Sequence, residues 1–378
     1  MIRQIGAILR CTVVVAALAT LSACGSSDST QAKAARYQVA VEDVMARYQA
    51  PGAVVGVWVP GEAPWRMAFA LADVSSQRAM GLDDHFPIRS VTKSFTVTAL
   101  LQLEGDGLLS LDDSVASHVA GIPNGDRISL MQLAAMESGV PDYSGSQAFI
   151  DTFIADFGNE FAPAELVAYA AALPPGFDPG AQYEYSNTNT VLLGMVIKKV
   201  AQAPLDEVLR TRIFDPLQLS RTQYPYALAL PDPHPTPYDA DGSTGELDVL
   251  PYISPTSLGA SGAIVSTIDD LGAWGQALGS GRLVTPQQQA RRMSHSRPAT
   301  NGPAYETYGL GIGMIKGWWG HTGSGLGFQA ATLYDPGTGT TIAVLVNATP
   351  AASRFSRADN IAQDIFAALA DVVDRESR

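Results

Sequence analysis

The sequence predicts an α+β protein in which one antiparallel sheet is assembled from both ends of the chain, with a mainly helical subdomain inserted between them. A helix and a strand hairpin follow each other near the N-terminus, and a hairpin and a helix close the C-terminus. The residues between them have helical periodicity. We therefore assign residues 34–94 and 262–378 to the sheet domain and residues 95–261 to the helical subdomain.

The N-terminal half of the sheet domain begins with a helix over residues 35–48, where apolar residues recur at helical spacing until Pro51-Gly52 ends the run. The stretches AVVGVWV and WRMAFALADV follow, separated by Pro60-Gly61. Two apolar, β-branched runs around such a turn predict a strand hairpin.

The middle of the chain contains three clear helical stretches, SFTVTALLQLEGDG, ISLMQLAAMESG and VLLGMVIKKVA. Residues 222–257 are rich in proline, glycine and aspartate, which predicts a long surface loop around a cleft. The C-terminal half of the sheet domain has FQAATLYD and TTIAVLVN around the turn PGTG. The closing helix carries an apolar stripe, formed by Ile361, Ile365, Leu369 and Val372.

The first residues predict an export signal. Arg3 and Arg10 precede the apolar run CTVVVAALATL, which is too short to span a bilayer comfortably. The following LSAC resembles a bacterial lipobox, which implies cleavage after residue 23, a lipid on Cys24 and a tether over residues 24–33. Plain secretion is the alternative. We expect an exported protein anchored to a bacterial membrane, on its periplasmic or outer face, without an intramolecular disulfide because Cys24 is the one cysteine left after cleavage.

Composition and motifs exclude several function classes. The formal net charge is −13 and no run of adjacent Lys or Arg exceeds two, so we expect no nucleic-acid partner. No G-x-S-x-G elbow of an α/β-hydrolase is present. The five histidines are scattered without an H-E-x-x-H pattern, so we expect no metal site.

Ser90 and Lys93 stand three residues apart at the start of a predicted helix, in the stretch IRSVTKSF. Residues i and i+3 share one helix face, so the hydroxyl and the amine converge near the partial positive charge of the helix N-terminus. Such a pair suits nucleophilic catalysis, because the lysine helps the hydroxyl to lose its proton. The pair by itself also fits a helix cap beside a surface charge.

Two further stretches, QYEYSNTNTVLLG and WWGHTGSGLGF, contain Tyr185-Ser186-Asn187 and His321-Thr322-Gly323. S-x-x-K, then Y-x-N, then H-T-G on an edge strand is the motif order of the penicillin-recognising serine hydrolases, which the sequence resembles over about residues 40–370. It is most similar to the branch of Streptomyces-type D-alanyl-D-alanine carboxypeptidases, class C β-lactamases and family VIII esterases. The resemblance implies a three-layer α/β/α fold of the β-lactamase/transpeptidase type and no cofactor.

The resemblance also implies a role for each motif residue. Ser90 would be the acylated nucleophile. Lys93 and Tyr185 would share the proton transfers, and we expect the Lys93 ammonium to lower the pKa of Tyr185 towards neutrality. Asn187 would hydrogen-bond either the substrate amide or Lys93.

The H-T-G stretch would bind the substrate. His321, with Thr322 beside it, takes the place of a lysine in other members and would be a weaker anchor for an anion. Gly323 would let the strand approach the acyl group closely, and the N–H of Ser324 would complete an oxyanion hole with that of Ser90.

Other positions leave alternatives open. The relatives' carboxylate-clamping arginine corresponds to Gly313 here, and Lys316 is nearby, so esterase or general peptidase activity competes with carboxypeptidase activity. Two pairs of residues fit either the cleft or an ordinary structural role: Trp318 and Trp319 as cleft wall or core, Asp142 and Tyr143 as pocket lining or a plain turn.

The function expected from the sequence is that of a monomeric serine hydrolase of the cell envelope. It would act through an acyl-enzyme on a small peptide, ester or β-lactam, most closely as a D-alanyl-D-alanine carboxypeptidase or an esterase. The alternative is a lipid-anchored sensor of the same fold that binds cell-wall peptides or β-lactams without turnover.

Overall fold

The structure is a computed structural model that describes residues 21–241, 246–350 and 360–376, with side chains from residue 30 onward except those of residues 241 and 246. Most of the predicted signal peptide and the side chain of Cys24 lie outside the described part. The predictions of cleavage and lipidation therefore stay predictions.

The strands are short at the centre of the chain and long at its two ends. In chain order they are β1 (Gly52–Trp58), β2 (Trp65–Asp73), β3 (Arg78–Ala79), β4 (Phe86–Pro87), β5 (Tyr238–Asp241), β6 (Glu246–Val249), β7 (Val265–Ser266), β8 (Arg297–Pro298), β9 (Thr307–Tyr308), β10 (Gly313–Ile315), β11 (Trp318–Gly325), β12 (Phe328–Tyr334), β13 (Thr341–Val346) and β14 (Ala348–Pro350).

The helices lie at both ends and through the middle of the chain. In chain order they are α1 (Leu21–Tyr48), α2 (Thr92–Gly105), α3 (Leu130–Ala134), α4 (Gln147–Ala155), α5 (Pro163–Ala171), α6 (Asn187–Ala201), α7 (Leu205–Leu209), α8 (Asp215–Leu217), α9 (Ile268–Ser280), α10 (Pro286–Ser294) and α11 (Ile361–Glu376). No helix in the described ranges combines the length and apolarity needed to cross a bilayer.

The two ends of the chain form one sheet, as predicted. Within the described residues this sheet has nine strands in the order β3-β2-β1-β13-β12-β11-β10-β9-β8, and its ladders are antiparallel. Both predicted hairpins are present, β1 with β2 and β12 with β13. The ladder between β1 and β13 joins them, which confirms the α+β class.

Alternate residues of the central strands face two different cores. On β13, Leu345 packs with α9 in one core, whereas Val344 and Val346 pack with α1 and α11 in the other. Period-two alternation of side chains in a strand produces this division. The sheet therefore lies between helices on both faces, and the predicted stripe of α11 is buried against it.

The helical subdomain supplies α2 and α6, which pack together beside the sheet. Most of α2 is buried, so it lacks a polar face and forms the centre of the first core. Its N-terminus points towards β11. This arrangement positions the start of α2 for chemistry.

Two expectations are corrected. Residues 24–33 were expected to be a tether, but α1 already begins at Leu21 and contains no proline that would break it. Lys33 also donates a hydrogen bond to Glu62 at 2.8 Å, which holds this part of α1 to the domain. Residues 222–257 were expected to be a loop, but they contain the β5–β6 hairpin, which pairs with β14 through a parallel ladder. A strand from the far end of the chain stabilises this hairpin, so local composition did not reveal it.

Candidate active site

Ser90 and Lys93 converge as predicted. Ser90 lies in the 3-10 turn Arg89–Val91 that leads into α2, one step before the helix itself, and Lys93 lies in the first turn of α2. Lys93 Nζ is 2.9 Å from Ser90 Oγ. The contact excludes the alternative of a surface charge, because the Lys93 side chain is fully buried.

The Lys93 amine has three polar neighbours. Besides Ser90 Oγ, it donates to Asn187 Oδ1 at 2.7 Å and to the backbone oxygen of Ser261 at 2.9 Å. Burial lowers the pKa of Lys93 to about 7, and the negative charge of Asp142 opposes this shift. A substantial fraction of the amine is therefore neutral near pH 7.

Asn187 begins α6, and its side-chain amide has a defined orientation. Its Nδ2 donates to Asp142 Oδ2 at 2.9 Å, and its backbone N–H donates to the same oxygen at 3.1 Å. The amide oxygen thus faces Lys93. Of the two expected roles for Asn187, the structure contains the hydrogen bond to Lys93, and its nitrogen is already engaged.

Tyr185 lies over the lysine, with its ring centre 5.0 Å from Lys93 Nζ. Burial raises the pKa of Tyr185 well above its ordinary value, and the nearby Ser90 hydroxyl opposes the rise only in part. The expected lowering of the Tyr185 pKa by Lys93 is wrong. Removing a phenolate from water costs more free energy than a lysine that is only partly protonated can recover. Within the described residues, the Tyr185 hydroxyl has no hydrogen-bond partner at normal geometry.

His321 is enclosed rather than offered to a substrate. Its side chain has no exposed surface, and its ring nitrogens lie 3.0 Å from the hydroxyls of Tyr305 and Tyr308. Nδ1 also lies 2.6 Å from the Thr322 carbonyl, so Nδ1 carries the proton and Nε2 accepts from Tyr308. Burial lowers the pKa of His321 to about 3, with Lys93 contributing. The expected anchoring role is not supported by this position.

The H-T-G strand approaches the Ser90 turn closely. A Cβ atom at Gly323 would overlap the Ile88 carbonyl oxygen and lie 3.0 Å from Ser90 N, so only glycine fits. Ser324 is exposed and accepts a hydrogen bond from Gln329 at 3.0 Å, whereas Thr322 is buried. β10 pairs with β11 only as far as Gly320. β11 was expected to be an edge strand, but it lies inside the sheet between β12 and β10, and its last part, from His321 onward, extends beyond the ladder with β10.

The structure adds residues that the motifs did not reveal. Arg89 has a φ of +51° and donates to the Gly325 and Leu326 carbonyls at 3.0 and 3.3 Å, which fastens the turn that contains Ser90 to the end of β11. The Tyr305 hydroxyl accepts a hydrogen bond from the Thr322 N–H at 2.7 Å. Arg89 lies within the recognised RSVTKSF stretch, but nothing in the sequence indicated its positive φ, and Tyr305 stands in a segment without periodicity.

The structure also shows the surroundings of other positions for which the sequence left alternatives. A Cβ atom at Gly313 would meet the Tyr305 ring, and Lys316 forms an ion pair with Asp371 of α11. Trp318 is core, packed edge-on against a phenylalanine of α11, and Trp319 is partly buried. Tyr143 is structural, since its hydroxyl donates to a backbone oxygen at 2.7 Å. The described residues include no cluster of His, Cys, Asp and Glu that would hold a metal.

The chain is similar to known proteins in sequence and in fold. The family model described as Beta-lactamase matches residues 38–365. A D-aminopeptidase of Brucella anthropi is 29% identical over 275 residues, which are 72% of this chain and 51% of the relative. The chain thus spans about half the length of this relative.

Solved structures are similar over nearly the whole chain. A D-stereospecific amidohydrolase from Streptomyces sp. is 30% identical, with a TM-score of 0.75 over 88% of this chain and 97% of that one. A D-amino acid amidase from Ochrobactrum anthropi SV3 has a TM-score of 0.82 at 24% identity, over 91% and 99%. A penicillin binding protein from Bacillus halodurans has a TM-score of 0.72 at 20% identity, over 88% and 98%. These similarities confirm the predicted fold.

Proposed function

This chain belongs to the beta-lactamase family of serine hydrolases, and from that membership we propose that it hydrolyses small peptides or amides of a D-amino acid through an acyl-enzyme on Ser90. The contact between Lys93 Nζ and Ser90 Oγ supports this most directly. A base acts best when its pKa lies near the working pH, and burial brings Lys93 to about 7.

The neighbours of Lys93 determine the direction of the Nζ lone pair, which would accept the proton. A neutral amine has two N–H bonds and one lone pair. Asn187 Oδ1 and the Ser261 carbonyl can only accept, so they take the two N–H bonds and leave the lone pair for the Ser90 hydroxyl. Lys93 would receive the Ser90 proton as Oγ attacks the substrate carbonyl carbon.

Tyr185 would act on the leaving group. Because its pKa is raised, the phenol is protonated at neutral pH, and its hydroxyl lies near that of Ser90. As the C–N bond breaks, Tyr185 would donate its proton to the leaving nitrogen and recover one from the Lys93 ammonium. Water then hydrolyses the ester on Ser90 and restores the enzyme.

The carbonyl oxygen of the substrate would be bound by the backbone N–H groups of Ser90 and Ser324. Gly323 brings the β11 backbone against the Ser90 turn, and Arg89 holds the end of that strand. Fixed N–H donors at such a position stabilise the developing oxyanion, typically by a hundred- to a thousandfold in rate for each donor.

The substrate class is proposed from two lines of support. The relatives are described as a D-aminopeptidase and a D-stereospecific amidohydrolase. The expected carboxylate clamp has no counterpart at Gly313, whose side-chain space holds Tyr305, and Lys316 is paired with Asp371. An amide with an uncharged leaving group therefore suits the site better than a D-alanyl-D-alanine peptide with its terminal carboxylate, which the sequence had favoured.

We test this with purified protein and six substrates: the amides of D-alanine, D-phenylalanine and L-phenylalanine, a D-alanyl-D-alanine peptide, a chromogenic ester and a cephalosporin. We expect the D-amides to be hydrolysed fastest and Ser90→Ala to be inactive. Preference for the ester or the cephalosporin would redirect the substrate class. Binding of these compounds without turnover would favour the sensor.

We further propose that the protein is exported and held at a bacterial membrane, as a monomer, by a lipid on Cys24. The support is the signal-like sequence before Cys24. In fractionated cells that express the gene, Cys24→Ala should move the protein from the membrane to the soluble fraction. Continued membrane attachment of this variant would contradict the anchor.

A further inference from the structure

We infer that Asp142 is a positioning residue of this site, which acts through Asn187 to hold the Lys93 amine against the Ser90 hydroxyl. The inference rests on the proposed function, because it assigns Asp142 a part in the same proton transfer. It concerns a residue for which the sequence left a plain turn equally open.

The first support is the direction of the hydrogen bonds. An ionised carboxylate only accepts, so Asp142 Oδ2 requires the Nδ2 side of the Asn187 amide to face it, at 2.9 Å. The Oδ1 side is thereby directed at Lys93 Nζ, 2.7 Å away. A flipped amide would instead donate to the lone pair of Lys93 and compete with the Ser90 proton for it.

The second support is that Asp142 is itself fixed. Its Oδ1 accepts from the backbone N–H and the hydroxyl of Ser144 at 3.0 and 2.9 Å. The next residue, Tyr143, donates its backbone N–H to Thr188 Oγ1 in α6 at 2.9 Å. Asp142 also accepts the Asn187 backbone N–H, while the helix-capping residue Ser186 makes no side-chain cap. These hydrogen bonds therefore fix the Asp142 carboxylate at the N-terminus of α6.

The third support is electrostatic. The titratable groups that interact with Lys93 include Asp142, Tyr185 and His321. Tyr143 follows Asp142 in the chain, and Arg89 precedes Ser90. Burial keeps the two tyrosines and His321 uncharged by raising or lowering their pKa values. The Arg89 guanidinium is directed at the Gly325 and Leu326 carbonyls. Asp142 is the anion in this set, and its charge favours the protonated form of Lys93.

The test measures how fast a fluorophosphonate probe labels Ser90 in the full chain between pH 5 and 9. Asp142→Asn should lower the labelling rate about 10- to 100-fold, because a misplaced base loses that much. The acid limb of the pH–rate profile, over which labelling rises with pH, should move to lower pH in Asp142→Asn, because Lys93 loses its proton more easily without the nearby anion. Asp151→Asn is the matched control, since it removes an exposed carboxylate of α4 that accepts from Gln147 instead of Asn187, and it should leave rate and pH profile unchanged.

Two further variants separate positioning from a general loss of structure. Asp142→Glu keeps the charge, so its labelling should slow while the acid limb stays in place. Asp142→Asn combined with Asn187→Ala should lose no more than Asn187→Ala alone, because Asp142 acts through Asn187.

Unchanged labelling of Asp142→Asn at every pH, or fully additive losses in the double variant, would overturn the inference. If Asp142→Asn does not fold by circular dichroism, a displaced acid limb in Asp142→Glu would overturn it as well. Failure of the wild type to label would reject the proposed function itself.

Discussion

The ring of Tyr305 occupies the space that a side chain at Gly313 would need: a Cβ atom there would lie 2.5 Å from Tyr305 Cγ. The ring is held in place because the Tyr305 hydroxyl accepts the Thr322 N–H at 2.7 Å and lies 3.0 Å from Thr322 Oγ1. The site is thus closed on the side where the resemblance implied a cationic clamp.

We expect Gly313→Arg to destabilise the protein by about 1–3 kcal/mol, because the new side chain must displace a packed and hydrogen-bonded ring. Urea unfolding measures this. Gly145→Arg is the control, since a Cβ atom there meets nothing within 4 Å. Gly313→Arg should also gain no activity on D-alanyl-D-alanine peptides. Wild-type stability of Gly313→Arg would mean that the ring does not block this space.

Lys93 should cost stability while it supplies activity. Its pKa falls from 10.5 to about 7 on folding, so between these pH values the unfolded chain binds more protons and stability rises with pH. Lys93→Met should remove this rise and increase the free energy of unfolding at pH 7 by about 1 kcal/mol or more. It should also abolish probe labelling of Ser90. A less stable Lys93→Met with wild-type pH dependence would contradict the buried amine.

His321 should weaken the protein in mild acid. Its pKa falls from 6.5 to about 3 on folding, so below pH 6.5 the unfolded chain binds the extra proton, and stability falls as pH drops towards 3. His321→Asn should lose about 1–3 kcal/mol at pH 7, because the Tyr308 hydroxyl loses Nε2 as its acceptor. The loss should shrink at pH 4.5.

Urea midpoints at the two pH values measure the effect of His321→Asn. His85→Asn, which changes a partly exposed histidine, is the control. Equal losses at pH 7 and pH 4.5 would indicate that the buried imidazole does not remain neutral.

Gly323→Ala should strongly reduce activity. The added Cβ would overlap the Ile88 carbonyl oxygen and press on the Ser90 turn, so β11 and the oxyanion N–H groups must separate. We expect probe labelling to fall by about a hundredfold or more. Gly145→Ala, where there is open space, is the control. Full labelling of Gly323→Ala would show that the close approach is not needed.

Local patterns were sufficient for the two terminal hairpins, the first and last helices and the three helical stretches of the middle. The two hairpins and the stripe of α11 follow from periodicity, which depends on near neighbours in sequence. Ser90 and Lys93 meet because residues three positions apart lie on the same face of a helical turn. The β5–β6 hairpin escaped prediction because its partner, β14, lies about a hundred residues away.

The sequence by itself determined the fold class and the family resemblance, and it singled out Ser90 and Lys93 as the proposed nucleophile and its base, since residue type and spacing carry that information. The tertiary structure alone decided the protonation of the site: a Lys93 with a pKa of about 7, a protonated Tyr185 and an enclosed, uncharged His321. The physical reason is desolvation. The cost of charging a group depends on how completely distant segments exclude water from it, and no local pattern records that burial.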